Sequence, residues 1–119
     1  YRSIFLDADE LARAVAETAS EHQASDIVLL DLRPLRVFTD YFIFMSAETR
    51  RQMDALQEAL SRSLKECGGT LYHVEGNSQS GWVLMDCGDL VIHIFAPEQR
   101  EYYRLEQLWS RAPELLRIQ

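Results

Sequence analysis

Positive charge is scarce in this sequence. Its 119 residues carry 12 Lys+Arg, of which Lys65 is the single lysine, against 19 Asp+Glu, a formal net charge of -7. That balance argues against a surface that grips nucleic-acid phosphates or anionic lipid mainly by charge, and suits a basic protein partner better. Cysteine is almost as rare. Cys67 and Cys87 allow at most one disulfide, and with no CxxC and three scattered histidines they form no zinc pattern, so a reduced, cytoplasmic setting and no metal are expected. Long apolar runs are missing too: none approaches the roughly 18 to 20 residues that span a bilayer, and the N-terminus has no basic-plus-apolar leader pattern. No membrane role is expected. Repeats, linkers and low-complexity segments are likewise lacking, and with 47% hydrophobic residues the chain reads as one globular domain over residues 1–119.

What is present reads as alternating helices and strands. Asp7 with Glu10 resembles a capping box, followed by Leu11, Ala14, Val15 and Thr18 on one helical face to about His22. Asp26–Leu32 (DIVLLDL) is a buried strand that stops before Pro34, and Asp40–Met45 (DYFIFM) suits a central strand covered on both faces. From Glu48 to Cys67, Met53, Leu56, Leu60 and Leu64 recur at helical spacing behind a Thr49/Gln52 cap, until Gly68-Gly69 stops the helix. Thr70–Val74 is a short strand, Glu75–Gly81 a polar loop, and Trp82–Cys87 with Asp89–Phe95 a hairpin around Gly88. Glu98–Trp109 completes the pattern as a helix with Tyr102, Leu105 and Leu108 or Trp109 as its apolar stripe, and a short tail follows. The expected class is α/β: a single mixed β-sheet of about five strands with packed helices.

The hairpin holds the most informative pattern. With Cys87-Gly88 at the turn, Asp86 would face Asp89, Leu84 would face Val91 and Trp82 would face His93, while Val83, Met85, Leu90, Ile92 and Ile94 form a wholly apolar core side. A large aromatic, aliphatics and two carboxylates on one side suggest a protein-binding patch, against the plainer reading that Trp82 and Leu84 pack under a helix. No Lys or Arg occurs from Thr70 to Pro97, where Glu75, Asp86 and Asp89 stand. A basic partner would be steered there.

Catalytic signatures are missing. There is no GxSxG elbow, no Cys/His signature, and no GxGxxG or GxxxxGK[ST] phosphate cradle. Asp31, Asp40, Asp86 and Asp89 would have to converge to hold a divalent metal, yet each sits where Asp is ordinary, at a strand end or beside a turn. His73 and His93 read as strand residues with no third clustered donor.

The string GWVLMDCGDLVIHIF (Gly81–Phe95), followed by Arg100, Tyr102-Tyr103, Leu105-Glu106 and Leu108-Trp109, closely resembles the Iojap/RsfS ribosomal silencing factor family. DIVLLDL at Asp26, TDYFIFMSA at Thr39, Arg51-Gln52 and Val74-Glu75-Gly76 agree in order, so the resemblance runs from about Glu10 to Trp109; Cys87 stands where an aromatic or aliphatic is common. The resemblance implies a fold similar to nucleotidyltransferases but without their catalytic element, and a cytoplasmic, non-enzymatic factor with no cofactor. It further implies binding to the large ribosomal subunit through that subunit's basic ribosomal protein fourteen, steric blocking of subunit joining, and a homodimer off the ribosome. No sequence-specific nucleic-acid contact is expected. The partner-binding residues expected on this basis are Trp82, Leu84, Asp86, Asp89, Val91, His93, Tyr102 and Tyr103. The competing readings are a metal-dependent nucleotidyltransferase-like enzyme and a simple dimerisation module.

Overall fold

The two long helices begin where side chains hold their first free N–H groups. The Asp7 carboxylate accepts from the Glu10 amide at 2.8 Å and the Glu10 carboxylate accepts from the Asp7 amide at 3.1 Å, a complete capping box ahead of α1 (Ala8–Glu21). Thr49 Oγ1 accepts from the Gln52 amide at the start of α2 (Arg50–Glu66). Gln52 then departs from the box pattern, because its side chain accepts from the Glu48 amide and donates to the Gln23 carbonyl, tying the start of α2 to the loop after α1. Gly68, at φ +80°, ends α2 in a conformation that costs glycine little.

The computed structural model describes residues 6–119, and one mixed sheet organises them. Its strands are β1 (Ser25–Asp31), β2 (Tyr41–Ser46), β3 (His73–Asn77), β4 (Trp82–Asp86), β5 (Leu90–Phe95) and β6 (Glu114–Ile118), in the order β3-β4-β5-β2-β1-β6. Only β2 and β5 run parallel. Every residue of β2 and β5 is buried, as an unbroken apolar run requires when both faces are covered. One face buries Ile27, Leu29, Ile43, Met45, Val83, Met85, Ile92 and Ile94 beneath α1 and α2, whose contributions are Leu11, Ala12, Val15, Ala16, Ala19, Met53, Leu56, Leu60 and Leu64. The α1 stripe is thus displaced from the expected one, with Ala14 and Thr18 only half-buried.

The other face carries Val28, Leu30, Phe42, Phe44, Val91 and Phe95, and its cover is thinner: Leu35 and Val37 from the β1–β2 connection, then Leu105, Trp109 and Ala112. The expected single helix over Glu98–Trp109 is broken. α3 (Pro97–Tyr103) stops at Arg104, whose φ of +48° changes the direction of the chain before the one-turn α4 (Leu105–Leu108). Across that break the Arg100 guanidinium donates to Glu106 at 2.7 Å and to Ser46 Oγ at 2.8 Å, so a side-chain pair anchors the segment where backbone bonds do not. The expected stripe dissolves accordingly: Leu105 and Trp109 pack inward while Tyr102 and Leu108 lie 80% and 74% exposed.

Three further expectations need correction. The sheet has six strands where about five were expected, because the tail after Pro113 returns as β6 against β1. The segment Glu114–Ile118 is too short to announce itself, and only its partner makes it a strand. β3 lies three residues later than expected and runs into the polar loop, whose turn is held by reciprocal Asn77 and Ser80 hydrogen bonds. In the β4–β5 hairpin the turn is Gly88-Asp89, closed by the Cys87 amide on the Leu90 carbonyl at 2.8 Å, with the Asp86 carboxylate accepting from the Gly88 amide at 2.9 Å. Gly88, at φ +83°, fits the first central position, and the pairs become Trp82↔Phe95, Leu84↔His93 and Asp86↔Val91. The displacement is two residues, so every strand residue keeps its face; only Asp89 leaves the ladder for the turn.

β6 shields β1, whose Ile27 and Leu29 are fully buried. A chain ending at Pro113 is expected to lose at least about 2 kcal/mol, the share of apolar burial that Leu116 and Ile118 provide. It should also aggregate, because β1 becomes an open apolar edge. Urea titration and light scattering check this; an unchanged midpoint would contradict it.

Candidate functional site

β4 presents Trp82, Leu84 and Asp86 in a row on the thinly covered face, each half-buried. Four residues of strand place Trp82 and Asp86 about 13 Å apart, so the aromatic and acidic ends of the row are distinct. At the aromatic end, Trp82 stacks on Phe95 at 5.0 Å and meets Tyr103 of α3 at 4.8 Å and 47°. Tyr102 extends the patch, edge-on to Tyr103 at 5.0 Å. At the acidic end Asp86 precedes the turn and the exposed Asp89 lies within it, and the Asp89 carbonyl accepts from the amides of Asp40 and Tyr41, which pins the hairpin tip to the start of β2. Thr39 Oγ1 adds a bond to the Gly88 carbonyl at 2.9 Å.

Two expected surface residues are not on the surface. Val91 and His93 are each 3% exposed, on β5 beside the row that Trp82 and Leu84 form. They support the patch and cannot meet a docking partner, because β5 is a central strand covered on both faces. The His93 ring stacks on Phe44 at 4.8 Å and stands edge-on to Phe42 at 4.8 Å, while its Nδ1 accepts from the Trp82 indole N–H at 3.2 Å. An accepting Nδ1 puts the proton on Nε2, which is buried without a hydrogen-bond partner among the described residues. Burial among apolar rings pushes the imidazole down to about 4, so His93 is neutral at physiological pH.

Two exposed aromatics beside this patch were not expected from the sequence, and Glu75, expected there for its charge, joins them. Phe38, 75% exposed, leans edge-on against Phe42 at 5.8 Å; Tyr72, 69% exposed, covers Gly88; Glu75 lies opposite Leu84 on β3. No periodicity marks them, because their exposure depends on which connection crosses which edge.

Asp31 accepts two bonds from the Arg33 guanidinium, both at 2.9 Å, and a third from the Arg33 amide, which holds its carboxyl below the usual range. Asp86 caps the hairpin turn. Among the described residues, no three of His, Cys, Asp and Glu stand close enough to share a metal ion. Both cysteines are free, and burial pushes the Cys87 thiol up to about 12, which leaves it unreactive. A hollow of about 550 Å³ near Ser46 is lined by Arg100, Arg104 and Arg117, each already paired with a carboxylate: Glu106, Glu101 and Glu114 respectively.

A family model described as "Ribosomal silencing factor during starvation" matches residues 6–119. The chain is 32% identical over 104 residues to the ribosomal silencing factor RsfS of Halalkalibacterium halodurans, covering 87% of this chain and 89% of that protein. It is 34% identical over 93 residues to the mouse protein named mitochondrial assembly of ribosomal large subunit protein 1, covering 76% of this chain and 41% of the longer mouse protein. A crystal structure of a protein from Chromobacterium violaceum superposes with a TM-score of 0.83 at 31% identity, covering 88% of each chain.

His93 gives this site a measurable pH signature. Its folded-state value lies below the ordinary 6.5, so the unfolded chain takes up the proton first as the pH falls. No contribution exists above about pH 6.5; stability is lost from there down to about pH 4, by about 3 kcal/mol in all. His93→Phe, which keeps the aromatic packing, should flatten that part of the profile. Urea midpoints of both proteins at pH 7 and pH 5 test it, and parallel profiles would contradict it.

Proposed function

The chain belongs to the ribosomal silencing factor family, and from that premise we propose that it represses translation by binding the large ribosomal subunit and blocking subunit joining. Its contact there is a basic protein of that subunit, the fourteenth by the family resemblance. The observation that carries this reading is the half-covered sheet face, where Tyr102, Tyr103, Trp82 and Leu84 adjoin Glu75, Asp86 and Asp89 in a segment without lysine or arginine between Thr70 and Pro97. Aromatic anchors in such a patch hold a partner once docked, whereas unneutralised carboxylates at its rim speed the encounter with a basic surface. The name of the mouse relative, which mentions the ribosomal large subunit, supports the choice of subunit.

No bond is made or broken in this reading. A folded body with principal extents of 43 × 33 × 25 Å, held on the joining surface of one subunit, obstructs the other by volume alone. The factor therefore acts in proportion to its occupancy and works in the cytoplasm, where it meets free subunits. Self-association through the same aromatic patch would compete with the ribosome.

Co-sedimentation with purified subunits is the direct test: the protein should travel with large subunits and not with small ones, and should lower the yield of joined ribosomes as occupancy rises. Unchanged joining at saturating protein would overturn the proposal. Tyr102→Ala, at an exposed position, should leave the fold intact and weaken binding about tenfold, mainly through faster dissociation. Trp82→Ala should weaken both binding and folding, since its ring also packs on Phe95 and bonds His93. Asp86→Asn with Asp89→Asn should slow association and flatten its salt dependence, as measured by surface plasmon resonance at two ionic strengths.

A further inference from the structure

The aromatic end of the patch contains a groove of about 260 Å³, lined by Glu75, Gly76, Ser80, Trp82, Leu84 and Tyr103. Its size suits one long side chain. Trp82 and Tyr103 meet at 47° and form a corner of two ring faces, while Leu84 supplies an aliphatic wall. Glu75 stands directly across the β3–β4 ladder from Leu84, with its side chain 66% exposed. Among the described residues its carboxylate meets the His73 ring, Nε2 to Oε1 at 3.2 Å, an exposed contact that a guanidinium can displace.

These features select an occupant. A carboxylate or phosphate would meet Glu75, and a purely apolar side chain would desolvate Glu75 without pairing it. A long cationic side chain satisfies every wall at once, its stem against Leu84, its charge over the ring faces and its head on the carboxylate. Arginine suits this better than lysine, since a planar guanidinium stacks on an aromatic ring while donating to a carboxylate within the same plane.

We infer that this groove is a receptor for one arginine side chain of the protein partner. The inference rests on the reading of the patch as a partner surface and adds the chemistry that the partner must present. Gly76 helps to keep the groove open: it sits at φ +78°, and a Cβ there would fall 2.0 Å from the Trp82 carbonyl oxygen, so no side chain can fill the position without displacing β4.

The test uses the full chain and two blocked tripeptides, acetyl-Gly-Arg-Gly-amide and the same peptide with citrulline, which keeps the shape and removes the charge. The chain has only two tryptophans, so the indole N–H resonances of Trp82 and Trp109 report separately, with Trp109, packed on Phe42, as internal control. The arginine peptide should move the Trp82 signal saturably and leave Trp109 in place. The citrulline peptide should bind at least threefold more weakly, and Glu75→Gln should weaken the arginine peptide to the same degree without affecting the citrulline one. No saturable shift, an equal response to both peptides, or indifference to Glu75→Gln would overturn the inference. Subunit co-sedimentation keeps the two proposals apart. Large-subunit binding without an arginine response leaves the function standing and removes the groove; an arginine response without subunit binding does the reverse.

Discussion

The parallel ladder between β2 and β5 is the contact on which the rest of this protein depends. It pairs Tyr41 with Leu90 through Ser46 with Phe95, and it joins two halves that otherwise touch mainly through helices: β6-β1-β2 on one side and β3-β4-β5 on the other. A parallel pair cannot be closed by a hairpin, so the chain must cross over, and α2 is the crossover element. Both strands lie at the middle of the sheet, buried on both faces, which is why their sequences are nearly continuous apolar runs.

Coverage of the two faces is unequal, and the thinner side carries the row of Trp82 and Leu84. α1 and α2, of 14 and 17 residues, close one face with regular helical stripes. The opposite face receives only loop residues, the seven-residue α3 and the single turn of α4, and these leave Trp82 and Leu84 half-covered. His93 belongs to this arrangement. A neutral imidazole among Phe42, Phe44 and Phe95 costs an Nε2–H without a partner among the described residues, yet its Nδ1 gives the Trp82 indole an acceptor, which fixes the indole plane at the edge of the patch.

Charge follows the same asymmetry. The strand part of the patch lies in a stretch with three carboxylates and no arginine or lysine, whereas the arginines of α3 and β6 are bound up with local carboxylates. A docking partner thus meets net negative charge beside exposed rings. That combination rewards a basic protein surface and discourages bare phosphate.

Local and periodic features were readable without the structure. The Asp7/Glu10 box, the Thr49 cap and the Gly68 stop each depend on residues within one turn of each other. The sides of β4 and β5 were readable because alternation has period two; a register error of two residues left Val83, Met85, Ile92 and Ile94 in the core and Trp82 and Leu84 opposite them. The family was readable from Gly81–Phe95 and the pieces around it. Tertiary structure alone decided the rest. Glu114–Ile118 became a strand because β1 offered an edge, and the helix after Pro97 broke because Arg100 is held by Ser46 and Glu106 across the turn. Whether Val91 and His93 or Tyr102 and Phe38 would face solvent could not be read from composition or spacing. Period fixes which residues share a side, but the exposure of that side is set by distant segments that pack over one part of it and leave another bare.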